Sequence, residues 1–255
     1  MDGVALVTGS SRGIGFGAAK ALAKEGFAVA VHGPVDDAEL TDALAMVERL
    51  GAKATKVAFD VTDIAAHERA LADVEDALGP LTTLVNNAGV GVLRRGDPLE
   101  VSEESWDRCH AVNAKGTFFL TQAFVRRLLG RAQNAVAYRS IVNVTSANAE
   151  AVAEPRLEYA ASKAAAAMAA KTWAVRLGRE GIYVFDVRPG LIETDMTAPV
   201  IAEYEKRAKA GLTLVPRVGQ PEEVGRIIAT LATGRLPYAT GQVIHADGGL
   251  LVPRF

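Results

Sequence analysis

Short, continuously apolar runs alternate with segments of helical length along the whole chain. Continuous rather than alternating apolar runs are typical of strands that are buried on both faces of a parallel sheet. The pattern therefore predicts an α/β protein with a parallel sheet and helices on both of its faces. Strands are predicted at Val4–Thr8, Ala28–His32, Lys53–Asp60, Leu84–Asn86, Ser140–Ser146, Tyr183–Arg188 and Gln242–Ala246. Helices are predicted up to Gly26, at Asp36–Leu50 and Ala65–Leu78, up to Leu129, and at Ala160–Arg179 and Pro221–Ala232.

Nothing in the composition divides the chain. Of its 255 residues, 49% are hydrophobic and 23% are charged, which is an ordinary globular mixture. We find no Pro/Ser-rich linker and no repeat of fixed period. We therefore expect a single domain over residues 1–255, with a substrate-facing loop near residues 190–217.

Charge and hydropathy bear on the partners. The net charge of −2 leaves no basic surface for phosphate neutralisation, so we expect no nucleic-acid partner. The most apolar long segment, Ala160–Leu177, contains three basic residues, which is too many for a membrane span. No signal peptide is visible after Met1. We expect no membrane partner and a cytoplasmic location.

The single cysteine and the histidines predict no special chemistry. Cys109 cannot form an internal disulfide, which fits a reducing compartment, and we interpret it as a helix-packing residue rather than a nucleophile. The histidines are scattered, without acidic or thiol neighbours at ligand spacing, so we expect no metal and interpret each as an ordinary surface or packing residue. They are His32, His67, His110 and His245.

A glycine-rich turn follows the first predicted strand, in the stretch "VTGSSRGIGFG". Gly9 suits a tight turn, Gly13 lets the backbone approach a ligand, and Gly15 allows the helix to pack closely on the strand. The free N–H groups of the helix would then bind a dinucleotide pyrophosphate. The alternative is a turn whose glycines serve sterics alone. The predicted cofactor contacts in this turn are Gly9, Ser11, Arg12, Gly13, Ile14 and Gly15.

The turn and the second strand favour NADP over NAD. The Arg12 guanidinium can pair with the adenosine 2′-phosphate of NADP. An NAD site expects a carboxylate at the end of the second strand, where this chain has Gly33 and Pro34. Asp36 and Asp37 follow slightly late, and a shifted Asp36 could still bind the ribose hydroxyls of NAD.

The remaining motifs resemble those of the short-chain dehydrogenase/reductase family, over nearly the whole chain and in the family's order. They are "TGSSRGIG" (Thr8–Gly15), "DVTD" (Asp60–Asp63), "NNAG" (Asn86–Gly89), Asn113 in "VNAKG", Ser146 in "VNVTS", "YAASK" (Tyr159–Lys163) and "RPGLIETDM" (Arg188–Met196). The resemblance implies a single Rossmann domain with a doubly wound, seven-stranded parallel sheet. It also implies an enzyme that transfers hydride between a nicotinamide and a carbonyl or alcohol.

Four residues form the predicted catalytic group. Tyr159 and Lys163 are one helical turn apart on a predicted helix, so that their side chains point the same way. An ordinary phenol loses its proton only near pH ~10, and a neighbouring ammonium favours the phenolate. Ser146 can hold the substrate oxygen beside the phenol. By resemblance, Asn113 steadies a water behind Lys163, and Lys163 also holds the nicotinamide ribose.

Further cofactor contacts are implied by the resemblance alone. Asp60 and Val61 correspond to adenine contacts. The segment along the ribose contains Asn87, Ala88 and Gly89, whereas Asn86 is expected to fix the sheet. The loop that holds the nicotinamide carboxamide contains Pro189, Gly190, Ile192 and Thr194. The "DGG" of Asp247–Gly249 is expected to be structural, near a subunit contact.

The last prediction for the site concerns its substrate. The predicted pocket walls contain Arg94, Asn148, Glu154 and Arg156, a polar set that suits a hydroxylated or anionic substrate, unless these side chains point to solvent. The leading prediction is NADP-dependent reduction of a 3-oxoacyl thioester, free or bound to an acyl carrier. The alternative is an NAD(P)-dependent sugar or polyol dehydrogenase. The complete catalytic group argues against a nucleotide-binding protein without turnover.

Two features concern the chain as a whole. The family is mostly dimeric or tetrameric, and the alanine-rich face of "ASKAAAAMAAKTWAV" suits close helix approach, so we predict a homotetramer. The stretch before the fifth strand is a few residues longer than a compact member needs, which leaves the end of the helix near Leu129 open.

Overall fold

The computed structural model describes residues 3–131 and 138–254. Its strands are β1 (Val4–Val7), β2 (Ala28–Gly33), β3 (Ala54–Ala58), β4 (Thr83–Asn86), β5 (Arg139–Val144), β6 (Ile182–Pro189) and β7 (Val243–Ala246). Its α-helices are α1 (Gly13–Lys24), α2 (Ala38–Glu48), α3 (His67–Leu78), α4 (Glu103–His110), α5 (Thr117–Leu129), α6 (Leu157–Leu177), α7 (Ile201–Arg207) and α8 (Pro221–Ala232).

The strands form one parallel sheet in the order β3-β2-β1-β4-β5-β6-β7. The winding reverses between β1 and β4, which are neighbours in the sheet but not in the sequence. Ligands of open α/β sheets bind beyond the carboxyl ends of the strands at such a reversal. The glycine turn after β1 and the segment after β4 therefore lie side by side at the expected ligand crevice.

Apolar side chains cover both faces of the sheet. On one face, α3, α5 and α6 bury residues such as Leu71, Phe124 and Leu177 against the sheet. On the other face, α1, α2 and α8 bury residues such as Leu22 and Ile228. Removing each such side chain from water contributes roughly 1.5–3 kcal/mol. The predicted fold, a doubly wound sheet of seven parallel strands with helices on both faces, is confirmed.

The predicted element bounds differ from the structure mainly at the ends. α8 has the predicted bounds, whereas α6 begins before the predicted Ala160 and includes Tyr159 in its first turn. α5 ends at Leu129. The predicted long stretch before β5 falls partly on residues 132–137, outside the described residues. Among the helices described, none has both the length and the apolar character needed to cross a membrane.

Candidate active site

The glycine turn joins β1 to α1 with the backbone that its sequence predicts. Gly9 and Gly13 have φ of +61° and +57°, a region that side chains strongly disfavour. A Cβ at Gly15 would overlap the carbonyl oxygen of Gly9 and the Asn87 amide nitrogen. The turn therefore requires glycine at all of these positions.

The first turn of α1 remains open to a ligand. Arg12 stands at the N-cap with an extended backbone, no side chain of the described residues caps this end, and the first turn contains no acidic residue. The uncapped N–H groups and the helix dipole attract an anion. The residues present therefore fit the pyrophosphate of a dinucleotide. Ser11 and Ile14 are half-buried in this turn.

Hydrogen bonds from the segment after β4 hold the glycine turn in place. The Asn87 amide group donates to the carbonyl oxygens of Thr8 and Gly9, both at 2.9 Å. The Thr8 hydroxyl accepts from the backbone N–H groups of Asn87 and Ala88 at 2.9 and 3.0 Å. Asn86 donates to Asn143 of the neighbouring β5 and to Thr121 of α5, and so fixes the sheet, as predicted.

His32, predicted to be an ordinary histidine, lies buried at the end of β2 directly under the glycine turn. Its Nδ1 accepts from the Gly9 N–H, and its Nε2 lies within hydrogen-bond distance of the Phe59 carbonyl, both at 2.9 Å. These contacts require a neutral ring that is protonated on Nε2. Burial lowers the pKa of His32 to about 4. No local sequence pattern signals this contact, because 23 residues separate the two partners.

The two acidic residues after β2 have different partners. The Asp36 carboxylate accepts from Lys56 Nζ at 2.5 Å. The Asp37 side chain accepts from Leu40 N at 2.9 Å and caps α2. Asp37 is thus a capping residue, and the charge of Asp36 is compensated by a lysine.

Arg12 is an exposed side chain at the rim of the same crevice. Its guanidinium lies 3.5 Å from carboxylate oxygens of Glu39 and Asp195. Pairs with such exposure contribute little to stability. The guanidinium can therefore exchange these partners for a stronger anion at little cost.

The predicted catalytic tyrosine and lysine lie in the first two turns of α6. Lys163 is buried, and its Nζ donates to the Val144 carbonyl at 3.0 Å and lies 5.9 Å from the centre of the Tyr159 ring. The half-buried phenol also has the Arg156 guanidinium 5.6 Å from its ring centre. Two cations therefore flank Tyr159.

Asn113 lies in a wide helical turn, the π-helix Ala111–Gly116, that the sequence analysis did not predict. π-Helical turns occur often at functional sites. Its amide oxygen accepts from Val90 N at 2.8 Å, and its amide nitrogen donates to Val90 O and Ser162 Oγ. A Cβ at Gly89 would lie 3.1 Å from Asn113 Oδ1 and 3.3 Å from Lys163 Nζ. Asn113 and Lys163 thus meet around Gly89.

Ser146 follows β5 at the start of a short turn that packs on α6. It is buried, and its Oγ accepts from Asn148 N at 3.1 Å. The hydroxyl proton is not used in that contact and can be donated to a ligand.

The loop after β6 covers the crevice. Pro189 ends β6, and the Gly190 N–H donates to Ala246 at 3.0 Å. A Cβ at Gly13 would lie 3.5 Å from the Thr194 methyl group, so this loop faces the glycine turn. Ile192 is buried in the core beside α8. The glycine turn and the loop after β6 thus form the two sides of one cleft.

The residues after β3 end the crevice on its other side. Asp60 accepts from Thr62 N at 2.8 Å in a tight turn, and Val61 is buried. The Val61 carbonyl oxygen is 2.9 Å from His67 Nε2. The adenine contacts of Asp60 and Val61 stay a prediction.

The pocket walls approach one another over the site. Arg95 donates to the Tyr204 hydroxyl at 3.3 Å and so connects the segment after β4 to α7. Arg94 pairs with Glu100. Asn148 donates to Ala151 O at 2.9 Å, and Glu154 is exposed. Among the predicted wall residues, the Arg156 guanidinium lies beside the phenol ring of Tyr159.

Cys109 and the acidic residues of the described chain form no second chemical centre. Cys109 is buried, and burial raises the pKa of its thiol, as expected for a packing residue. Within residues 3–131 and 138–254, no three His, Cys, Asp or Glu side chains converge as metal ligands would.

A doubly wound sheet with an open glycine turn at its reversal defines a dinucleotide-binding α/β protein. A family model described as Enoyl-(Acyl carrier protein) reductase matches residues 9–251. The chain belongs to the short-chain dehydrogenase/reductase family and is an oxidoreductase. The resemblance seen in the motifs is confirmed.

Relatives of different substrate classes are similar over the whole chain. Gluconate 5-dehydrogenase of Gluconobacter oxydans is 35% identical, over 97% of this chain and 94% of the relative. A 3-oxoacyl-[acyl-carrier protein] reductase of Brucella melitensis, solved with NAD, is 41% identical, with a TM-score of 0.96 over 100% of this chain and 99% of the other. A protein from Agrobacterium tumefaciens described as a 2-deoxy-D-gluconate 3-dehydrogenase, solved with NADP, is 31% identical, with a TM-score of 0.86 over 98% and 97%. The family thus binds NAD or NADP.

Proposed function

We propose that the chain is an NADP(H)-dependent oxidoreductase that interconverts a carbonyl group and a secondary alcohol, with Tyr159 as proton donor and acceptor. The observation that carries this proposal is the buried ammonium of Lys163, one helical turn from the phenol and 5.9 Å from its ring centre. An ammonium at this position favours the phenolate that remains after proton donation. The same pair can therefore act in both directions.

Each residue of the group has a distinct task. In reduction, Tyr159 donates its proton to the substrate oxygen, and Ser146 donates a hydrogen bond to the same oxygen. When bound, NADP(H) supplies the hydride in reduction and accepts it in oxidation. Lys163 also reaches the nicotinamide ribose, and Asn113, which meets Lys163 around Gly89, supports a water-mediated path for the proton.

The proposed cofactor preference is NADP(H) over NAD(H). Arg12 stands exposed at the open end of α1, where a 2′-phosphate can replace its two weak carboxylate partners. The carboxylate that would bind the ribose of NAD, Asp36, is already paired with Lys56. NAD(H) remains the alternative if Asp36 turns from Lys56 to the ribose.

The first proposed substrate class is a 3-oxoacyl thioester, as in the Brucella melitensis reductase that is 41% identical. The second is a sugar, sugar acid or polyol, and the position of Arg156 favours the acids of this class. Its guanidinium flanks Tyr159, and it has no carboxylate partner among the described residues. An unpaired guanidinium beside the reacting oxygen suits a substrate carboxylate.

The remaining proposals concern assembly and location. Met168 and Val175 on α6 are 62% and 85% exposed, although both are apolar. Exposed apolar side chains on one helix support a homotetramer built partly on α6. A buried lone cysteine fits the proposed cytoplasmic location. Light scattering at micromolar concentration tests the assembly, and a monomer would contradict it.

The decisive experiment for the mechanism replaces Tyr159 by phenylalanine. We expect Tyr159→Phe to bind NADPH normally and to lose nearly all turnover, on the order of a thousandfold, because proton donation contributes roughly 10²–10⁴-fold. NADPH oxidation is followed with a β-ketoester, a keto sugar acid and a keto sugar. Substantial turnover by Tyr159→Phe would remove the residue from the acid–base role.

A further inference from the structure

A buried network of charged side chains lies beneath the carboxyl ends of β5 and β6. Arg188 Nε donates to Asp186 at 2.9 Å, and its Nη1 donates to Glu150 at 2.8 Å. The other carboxylate oxygen of Asp186 accepts a hydrogen bond from the Thr145 hydroxyl. The side chains of Arg188 and Asp186 are only 7% and 3% exposed, whereas that of Glu150 is 61% exposed.

The network brackets Ser146. Thr145 immediately precedes it, and Glu150 follows it at the end of the short turn. The Thr145 N–H also donates to Val187 O at 2.9 Å, and the Val144 carbonyl accepts from Lys163. The peptide that carries the Ser146 hydroxyl is thus attached to α6 on one side and to β6 on the other.

Stability alone does not explain such a network. Burying an ion pair costs desolvation energy that its attraction often fails to repay, so apolar residues would serve the fold equally well. Arginine is suited to the geometry because its planar group donates in two fixed directions at once. Here one direction leads to β6 and the other to the turn after Ser146. The arrangement fixes a relative position between two backbone segments.

We propose that Arg188 is a positioning residue that holds the Ser146 hydroxyl in place, through Asp186 and Thr145 before it and through Glu150 after it. The inference rests on the proposed role of Ser146 in binding the substrate oxygen. When the contact to Glu150 is lost, the turn after Ser146 shifts and the hydroxyl leaves its place. Displacement by about 1 Å can cost a factor of about a hundred in rate.

The test starts at the exposed end of the network. Replacing Arg188 itself would leave the buried Asp186 carboxylate unpaired and could unfold the protein. Glu150→Ala avoids this problem, and we expect it to lower kcat about tenfold while the Kd for NADPH stays unchanged. Glu150→Gln keeps an acceptor for Arg188 and should restore most of the rate. The matched control is Glu180→Ala, which breaks the ion pair with Arg176. This pair lies just before β6, at the amino ends of the strands and away from the site, so kcat should not change.

The second arm repeats Glu150→Ala in a Ser146→Ala background. If Glu150 acts through Ser146, the double variant turns over no more slowly than Ser146→Ala alone. The same tenfold loss in both backgrounds, or a wild-type kcat for Glu150→Ala, would overturn the positioning role and leave the proposed function intact. Full turnover by Ser146→Ala would instead overturn the role of Ser146 itself, and the inference with it.

Discussion

Two helices begin at the same edge of the sheet, directly after the neighbouring strands β1 and β2, and their first turns are built differently. α2 is closed by its own sequence, because the Asp37 side chain accepts from Leu40 N at 2.9 Å and Glu39 adds a negative charge. α1 has Arg12 at the N-cap, no capping side chain among the described residues and no acid in its first turn.

The difference separates stability from binding. In a capped helix end, the carboxylate accepts from the free N–H groups and compensates the helix dipole. Such an end is more stable and attracts an external anion only weakly. An open end forgoes that gain and keeps its N–H groups and dipole for a ligand. Changes at α1 are therefore expected to alter cofactor affinity, and changes at α2 only the free energy of unfolding.

Among changes around the two helix ends, the largest effect on cofactor binding is expected from Gly15→Ala. The added Cβ would overlap Gly9 and Asn87, so the glycine turn must move to accommodate it. Overpacking of this kind costs roughly 1–3 kcal/mol, and we expect the Kd for NADPH to rise by up to about a hundredfold in fluorescence titrations. Gly178→Ala is the control, since a Cβ there meets nothing within 4 Å and the backbone is helical. Unchanged affinity in Gly15→Ala would show that no ligand depends on this turn.

An effect of similar size, on stability, concerns His32 beneath the glycine turn and depends on pH. The pKa of His32 is lowered from 6.5 to about 4 in the folded protein, because burial disfavours the charged ring. As the pH falls below 6.5, His32 becomes protonated in the unfolded chain. In the folded protein it stays neutral until the pH reaches about 4. Each pH unit costs about 1.4 kcal/mol, so His32 removes about 3 kcal/mol of stability over this range.

Denaturant unfolding of the wild type and His32→Gln between pH 7 and 4.5 measures this contribution. The carboxylates titrate in both proteins, so the difference between the two curves isolates His32. We expect the wild type to lose more stability on acidification than the variant does. If the wild type and the variant lose stability equally on acidification, the ring is protonated to the same extent in the folded and unfolded states. Nδ1 of His32 would then not accept from the Gly9 N–H in the folded protein at low pH.

The sequence predicted the local structure of those parts of the candidate site that depend on short-range patterns. Glycines at fixed spacing require a particular turn, and Tyr159 and Lys163 share a helix face by periodicity alone. The alternation of strands and helices predicted a parallel sheet covered on both faces, whereas the doubly wound arrangement of seven strands was implied by the resemblance of the motifs. The bounds of α8 follow from Pro221 at its first position, which is a local signal.

The parts that were missed depend on contacts between distant segments. His32 and Gly9, or Arg188 and Glu150, are brought together only by the sheet, and neither pair has a local pattern. The π-helix around Asn113 has one local correlate, Gly116, where a Cβ would lie 2.5 Å from the Val61 carbonyl oxygen. A glycine in a helix indicates that another segment packs closely against it, but the sequence does not indicate which segment.

A smaller effect is expected from Arg12→Ala. Loss of a charged contact to the 2′-phosphate should raise the Kd for NADPH about tenfold, because the contact of the exposed Arg12 lies at the low end of the about 1.5–3 kcal/mol that such bonds contribute, and should leave NADH nearly unchanged. Calorimetry with both cofactors measures the ratio. Asp36→Asn is the complement, because it weakens NADH only if Asp36 reaches the ribose. Equal losses for both cofactors in Arg12→Ala would mean that the guanidinium does not contact the 2′-phosphate.

The smallest effect tests the closed helix end. Asp37→Ala removes the cap of α2 and should cost about 1 kcal/mol of unfolding free energy, whereas Asp37→Asn keeps an accepting oxygen and should cost much less. Neither variant should change the Kd for NADPH, because the side chain of Asp37 is directed to Leu40 N rather than to the crevice. A change in cofactor affinity without a change in stability would show that the second helix also belongs to the binding site, and the division between the two helix ends would then fail.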